Sequence, residues 1–507
     1  MSLIRSSLLV GLGTIASRIL GFVRDVLFAQ ALGTGPVADA FLAAFRLPNL
    51  VRRMMGEGGL NAALVPGLSH LRPDEAAATA GDVITAFALA LLVLTGLVEV
   101  GAGLIAIILA PGFQDDGGTL ALVALYTRLA FPAVICVTLA SVASALLNLN
   151  GRFGATAIAP LAVNGGMIAV LIALETLFAL PQWQKAAWLA AASSAAGLAQ
   201  LAIVAFALRG GAVRAVAFRR PRLSPVVKSV LLAGFPALLA SGAVQLFGLV
   251  GTQIASFWPS GVSWLYYADR LVQLPLSLMA AVASSVLLPD LALRHRSGEA
   301  GAVVAAQNRA LELALLMTLP AAAALMVLAG PIASVLFERG AFTSSDAQGT
   351  AYVLMALSLG LPVATAGKVL SQTLFARGSL RETLLATLLG IAVTASSAVL
   401  LGQFFGMPGI AFGISLGCLA HAAAIVRSLA AVGLWLPGAR LAGRLIRTGI
   451  AATIMALGLA AGLPTLAEPG AAALAVLCFG GLALYAATAW MTGALTRDDV
   501  ASLTKKP

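Results

Sequence analysis

The residues best suited to chemistry in this 507-residue chain are arginines in apolar surroundings: Arg18, Arg24, Arg46, Arg52 and Arg53 in the first two apolar segments, and Arg270 beside Asp269 in a later one. An arginine at the centre of a bilayer costs roughly 2.5–3.5 kcal/mol on insertion scales, so four facing lipid would cost on the order of 10 kcal/mol. They must face something polar. A guanidinium fork is the side chain best matched to phosphate oxygens, so these positions point to a water-filled cavity that holds an anion. Helical geometry gathers the charges: Arg18 and Asp25 nearly eclipse, and Asp39, Arg46 and Arg53 recur every seven residues, with Asn49 one turn from Arg46 and from Arg52. Pro48 bends the second helix, so an ideal wheel does not choose between Arg52 and Arg53. Snorkelling to an interface is the competing account of Arg46, Arg52 and Arg53, and for Arg53 it weighs at least as much. Asp25, Asp39 and Asp269 are expected to neutralise neighbouring arginines.

The elements that must carry these side chains are membrane helices. The chain is 60% hydrophobic and only 10% charged, with a mean hydropathy of +0.99, against about 25% charged residues in soluble domains. Apolar stretches of roughly 20 residues or more give about fourteen helices. They lie near 4–30, 36–68, 82–110, 120–149, 155–178, 186–208, 226–256, 262–292, 303–330, 348–376, 381–404, 408–434, 444–464 and 470–492. The expected fold is all-α and integral to the membrane.

The net charge of +11 would suggest nucleic acid in a soluble protein, but its distribution follows the membrane instead. One set of alternate connections holds Arg5, Arg72, Arg152, the run from Arg209 to Lys228, Arg294, Arg296, Arg377, Arg381, Arg427, Arg440, Arg444, Arg447 and the tail with Lys505 and Lys506. The other set holds only Lys185 and Arg339, beside Asp115, Asp116, Glu338, Asp346 and Glu468. By the positive-inside rule the first set, with both termini, is cytoplasmic. Arg18 interrupts the signal-like start and no small-x-small cleavage site is evident, so residues 1–20 read as a retained first helix. A topology reporter fused after residue 75 or 215 should therefore be cytoplasmic, and one near 115 or 343 periplasmic. Periplasmic signal from the Arg209 to Lys228 linker would overturn the assignment.

An internal repeat organises the chain. Leu47-Pro48 with LNAALVPGLSHL (60–71) is echoed by Leu274-Pro275 with SSVLLPDLALRH (284–295), and the LAP at 109–111 by LAGP at 328–331. An even number of helices per repeat preserves orientation, so two six-helix lobes related by an axis along the membrane normal are expected. The boundaries are 1–208 for the N-terminal lobe, 209–228 for a basic cytoplasmic linker, 229–434 for the C-terminal lobe, and 435–507 for a helix pair and tail.

Other motifs fail in context. Cys136, Cys418 and Cys478 lie singly in apolar runs, and His70, His295 and His421 lack metal-site spacing, so neither a disulfide framework nor a metal is expected. GLGTIA at 11–16 fits a dinucleotide pattern but lies in a membrane helix, where it reads as close helix packing. AGKV at 366–369 lacks the upstream glycine and the Ser or Thr of a phosphate loop. Lys368 lines the second lobe's interior or snorkels. No cofactor is expected.

Four stretches resemble one family closely: SRILGFVRDVLFAQALG (17–33), VADAFLAAFRLPNLVRRMMGEGGLNAALVP (37–66), SWLYYADRLVQLPLSLM (263–279) and LFERGAF (336–342). They are similar to the MurJ/MviN lipid II flippases of bacterial peptidoglycan synthesis, within the MOP exporter superfamily. The resemblance implies two lobes around a cavity open alternately to cytoplasm and periplasm of the bacterial inner membrane, with lipid II carried unchanged and no catalytic residue. It maps the family's cavity arginines onto Arg18, Arg24, Arg52 and Arg270, favouring Arg52 over Arg53. It also matches Asp39 to a functionally important position, Glu57 to a gating segment, and the last two helices to a groove for the polyprenyl tail. Lipid II, membrane lipids and other cell-wall synthesis proteins are the implied partners of a monomer. One departure stands out: some relatives bind sodium through the seventh and eleventh helices, yet 234–257 holds no carboxylate and 383–402 neither Asp nor Asn. A flippase for another polyprenyl-diphosphate glycan is the main alternative, because arginines read the diphosphate and not the sugar. An exporter of cationic drugs, expected to concentrate carboxylates, and a polyprenyl-phosphate glycosyltransferase, which needs a catalytic base, fit less well.

Overall fold

A computed structural model describes residues 3–54, 73–149, 151–209, 242–277, 300–465 and 470–497. These residues are helical and contain no strand. Ten helical spans among them are long and apolar enough to cross a membrane, which makes this a multi-pass membrane protein. The chain forms two compact units, residues 1–263 with 339–342, and residues 264–338 with 343–507.

The first unit contains α1 (Leu3–Leu32), α2 (Pro36–Met54), α3 (Pro73–Val100), α4 (Ala102–Leu109), α5 (Gly117–Ala130), α6 (Ala133–Leu149), α7 (Gly154–Thr176), α8 (Gln182–Leu208) and α9 (Ala243–Ala255). Gly33 and Gly35, both at positive φ, turn the chain between α1 and α2, and Pro36 opens α2 at a position where its missing N–H costs nothing. Residues 339–342 dock on this turn. The Ala341 amide donates to the Gln30 carbonyl at 2.8 Å, and Gly340, at φ +60°, leaves no room for a side chain against Gln30. An aromatic cluster joins the first elements: Phe28 meets Phe41 edge-on at 5.3 Å, Phe41 lies 4.8 Å from Phe45, and Tyr126 of α5 closes the group at 6.2 Å. Gly13 of the GLGTIA stretch packs so tightly on Ala157 that an added Cβ would sit 2.8 Å from the alanine's own. At the N-terminus of α5, Asp116 caps the helix by accepting from Thr119. That side-chain bond first, and the Thr119 amide second, hold the carboxyl below its ordinary range.

The second unit contains most of α10 (261–277), with α11 (Ala300–Val327), α12 (Ala329–Phe337), α13 (Ser344–Ala376), α14 (Leu380–Phe405), α15 (Met407–Ala431), α16 (Ala439–Gly462) and α17 (Ala471–Met491). A capping box starts α13: Thr343 accepts from the Asp346 amide, and the Asp346 carboxylate accepts from the Thr343 amide. Helices α14 and α15 approach through small residues, with Gly413 against Ala398 and Gly417 against Thr394. The share of buried residues orders the unit: 67% of the apolar window of α13 is covered but only 17% of that of α17, so α13 is central and α17 presents its sides to lipid.

The last helix pair is tied down by charge. Arg444 of α16 is buried, with Nη1 2.6 Å from Glu312 Oε2 on α11 and Nη2 donating to the Ala494 carbonyl at 2.8 Å. Tyr485 of α17 donates to the Leu316 carbonyl beside this pair. Removing one partner leaves a buried charge uncompensated. Glu312→Ala should therefore cost about 3–5 kcal/mol, read as a lower thermal midpoint in detergent, whereas Glu312→Leu with Arg444→Met should recover most of it. Equal midpoints for Glu312→Ala and the unmodified chain would show that the pair contributes nothing.

Candidate functional site

Five charged or amide side chains of the first unit stand together around one cleft. Arg24 on α1, and Asn49 and Arg52 on α2, line a space of about 500 Å³, part of it open to solvent, whose walls include Thr138, Met167 and Ser193. Asp25 lies behind Arg24, and Asn164 of α7 beside it.

Arg24 is 5% exposed and locked on several sides. Its Nε and Nη2 both donate to Asp25 Oδ1, at 3.2 and 2.8 Å, and its Nη1 donates to Asn164 Oδ1 at 3.1 Å. The guanidinium carbon lies 5.4 Å from the centre of the Phe28 ring, so the aromatic cluster of α1, α2 and α5 supports it. A helical side chain leans toward its own N-terminus, which brings Arg24 back over Gly21 toward Asn164. Arg52 is exposed and donates through Nη2 to Asn49 Oδ1 at 3.2 Å. Asn49 is buried, and its Nδ2 has no partner while its residue lines the cleft. A buried donor without a partner is costly unless a ligand or water takes it.

The other predicted residues lie elsewhere. Arg18 is exposed on α1 and outside the residues lining the cleft. Arg46 is half-buried, with its guanidinium against Gly248 of α9. Arg53 is the last residue but one of α2, with its side chain outside the described residues, and Glu57 also lies outside them. Asp39 is buried and accepts from the Ser263 amide at 2.8 Å as well as from the Ser263 hydroxyl. Ser263 is in the first turn of α10, where amides lack partners within the helix, and Asp39 is itself in the first turn of α2. One carboxylate thus serves the positive ends of two helices. In the second unit, Arg270 is half-buried on α10, 4.8 Å from the centre of the Tyr266 ring, with Nη2 donating to Tyr266 Oη at 2.7 Å. Asp269 accepts from Gln273 one turn on.

Sequence reasoning passed over Asn164, Ser263 and Tyr266. A signal for Asn164 was present, since an amide inside the apolar run PLAVNGGM raises the same question of polar partners as the arginines do.

The order of the helices is that of a known transporter fold. The structure matches an inward-facing multidrug resistance MATE family transporter of the MOP superfamily with a TM-score of 0.66 and 15% identity, over 82% of this chain and 94% of that one. It matches a lipid II flippase MurJ in an inward closed conformation with a TM-score of 0.78 and 22% identity, over 96% and 98% of the two chains. A family model described as lipid II flippase MurJ matches residues 28–477. A probable lipid II flippase MurJ of Rhizobium meliloti (strain 1021) is 38% identical over 478 residues, covering 92% of this chain and 88% of that protein. The chain belongs to the MurJ family.

Proposed function

We propose that this protein is a lipid II flippase of the bacterial cytoplasmic membrane, moving the diphosphate-linked precursor from the cytoplasmic to the periplasmic leaflet without chemical change. The observation that carries the reading is the first unit's cleft. It offers two guanidinium groups and an unpartnered amide donor, Asn49 Nδ2, inside a membrane bundle, with one carboxylate held against Arg24. Donors in excess of acceptors suit a phosphate ester.

Arg18, Arg24, Arg52 and Arg270 are the residues assigned to the diphosphate, with Asp25, Asp39, Arg46, Asn49, Arg53, Glu57 and Asp269 in cavity or gating roles. Arg270 suits its part because the Tyr266 ring and hydroxyl orient its fork. Asp39 suits gating because its bonds to Ser263 can be made and broken as helix ends separate. The lobes, with bounds at 208, 228 and 434, rock to alternate access, the termini are cytoplasmic, and the helix pair α16–α17 guides the polyprenyl tail. Other cell-wall synthesis proteins and membrane lipids complete the partners of a monomer.

Native mass spectrometry of the protein extracted from its own membrane tests the substrate. Bound lipid with the mass of lipid II is expected. Retention only of a polyprenyl diphosphate bearing a different glycan would overturn the substrate while leaving the diphosphate site.

A further inference from the structure

Asn164 has both ends of its amide committed inside the protein. Its Oδ1 accepts from Arg24 Nη1 at 3.1 Å, and its Nδ2 donates to the Ser17 carbonyl at 2.9 Å and lies 3.4 Å from Ser17 Oγ. It is 8% exposed and does not line the cleft, although its neighbours Val163 and Met167 do. With its donor end held by a carbonyl, only its acceptor end can meet the guanidinium.

Arg24 has five N–H groups, and three are spoken for: Nε and one on Nη2 go to Asp25, and one on Nη1 goes to Asn164. Two remain, one on each terminal nitrogen, enough for a two-point contact with a phosphate. Asp25 alone would leave the guanidinium plane free to turn about the carboxylate oxygen, because both of its bonds end on the single atom Oδ1. The bond from α7 supplies the second fixed point. Gly21 faces the amide, with an added Cβ in ordinary contact at 3.5 Å from Asn164 Nδ2, so a side chain larger than a methyl there would push into it.

We propose that Asn164 is a positioning residue for substrate: it fixes the plane of the Arg24 guanidinium so that its two remaining N–H groups meet the diphosphate. The proposal rests on the diphosphate reading given above. It also separates orientation from charge, since a lysine ammonium is a point charge with no plane to fix.

The test measures lipid II affinity of the full-length protein in detergent, with thermal midpoints recorded alongside, for Asn164→Ala in the native and Arg24→Lys backgrounds. Asn164→Ala should weaken lipid II binding about tenfold in the native background, the scale of one hydrogen bond to a charged group. In the Arg24→Lys background it should change binding by less than about twofold, the independence expected when one residue acts only through the other. If Asn164→Ala does not fold, Asn164→Leu gives the same comparison: it fills the amide's place but offers Arg24 no acceptor, so binding should again weaken about tenfold in the native background and by less than about twofold beside Arg24→Lys. Equal losses in both backgrounds, or no loss in the native one, would overturn the positioning role while leaving the diphosphate reading intact. Failure of the unmodified protein to bind lipid II would instead sink the reading on which the proposal stands.

Discussion

Arg24→Ala should abolish complementation of a flippase-depleted strain, and the structure shows why that result needs a companion. Removing the guanidinium deletes a cleft donor, but it also breaks a buried ion pair, since Asp25 is 2% exposed and has its Oδ1 2.8 Å from Arg24 Nη2. Breaking a buried pair by removing one partner costs about 3–5 kcal/mol, so lost growth could reflect lost protein. Pairing Arg24→Ala with Asp25→Asn removes both charges together. The pair should regain most of the thermal midpoint lost by Arg24→Ala and still fail to complement. Arg24→Lys should complement partly, because it keeps the charge and loses the fork. Arg270→Ala, which empties the place over the Tyr266 ring, should fail in the same assay. Normal growth of an Arg24→Ala, Arg270→Ala double mutant at native expression would end the case for diphosphate clamping.

Collapse of the membrane potential with valinomycin and potassium, at constant sodium and pH gradient, should stop lipid II exposure on the outer face. On the assignment proposed above, four arginines against Asp25, Asp39 and Asp269 would make the unloaded carrier modestly positive, and a bound diphosphate of about −2 would reverse that sign. An inside-negative potential then draws the unloaded carrier inward and favours outward passage of the anionic head group. Each elementary charge crossing the full field gains about 2.3 kcal/mol per 100 mV, enough to bias a two-state equilibrium more than tenfold. Residues 234–257 carry no carboxylate and 383–402 neither Asp nor Asn, so the potential rather than a sodium gradient is the expected driving force. Unchanged exposure under valinomycin, with arrest only on removal of sodium or the pH gradient, would reveal an ion-coupled site.

The sequence by itself determined the class of molecule and the order of its helices, because both depend on local quantities. Twenty apolar residues span a bilayer wherever they occur, and the ten described spans fall where hydropathy places them. The cost of an arginine in lipid is equally local, so the need for a polar interior was legible before any packing was known. Tertiary structure decided which polar groups meet. Arg24 finds Asn164 across 140 residues, Asp39 finds Ser263 across 224, and Arg444 finds Glu312 across 132. Arg444 shows the limit most plainly: by sequence it is one more cytoplasmic cation, and in the fold it is a buried ion pair anchoring the last helices. Periodicity states how often a side chain returns to one face of its own helix. Which neighbour that face meets is settled only when the helices pack, since rotation and depth of each helix are set by its contacts with the others.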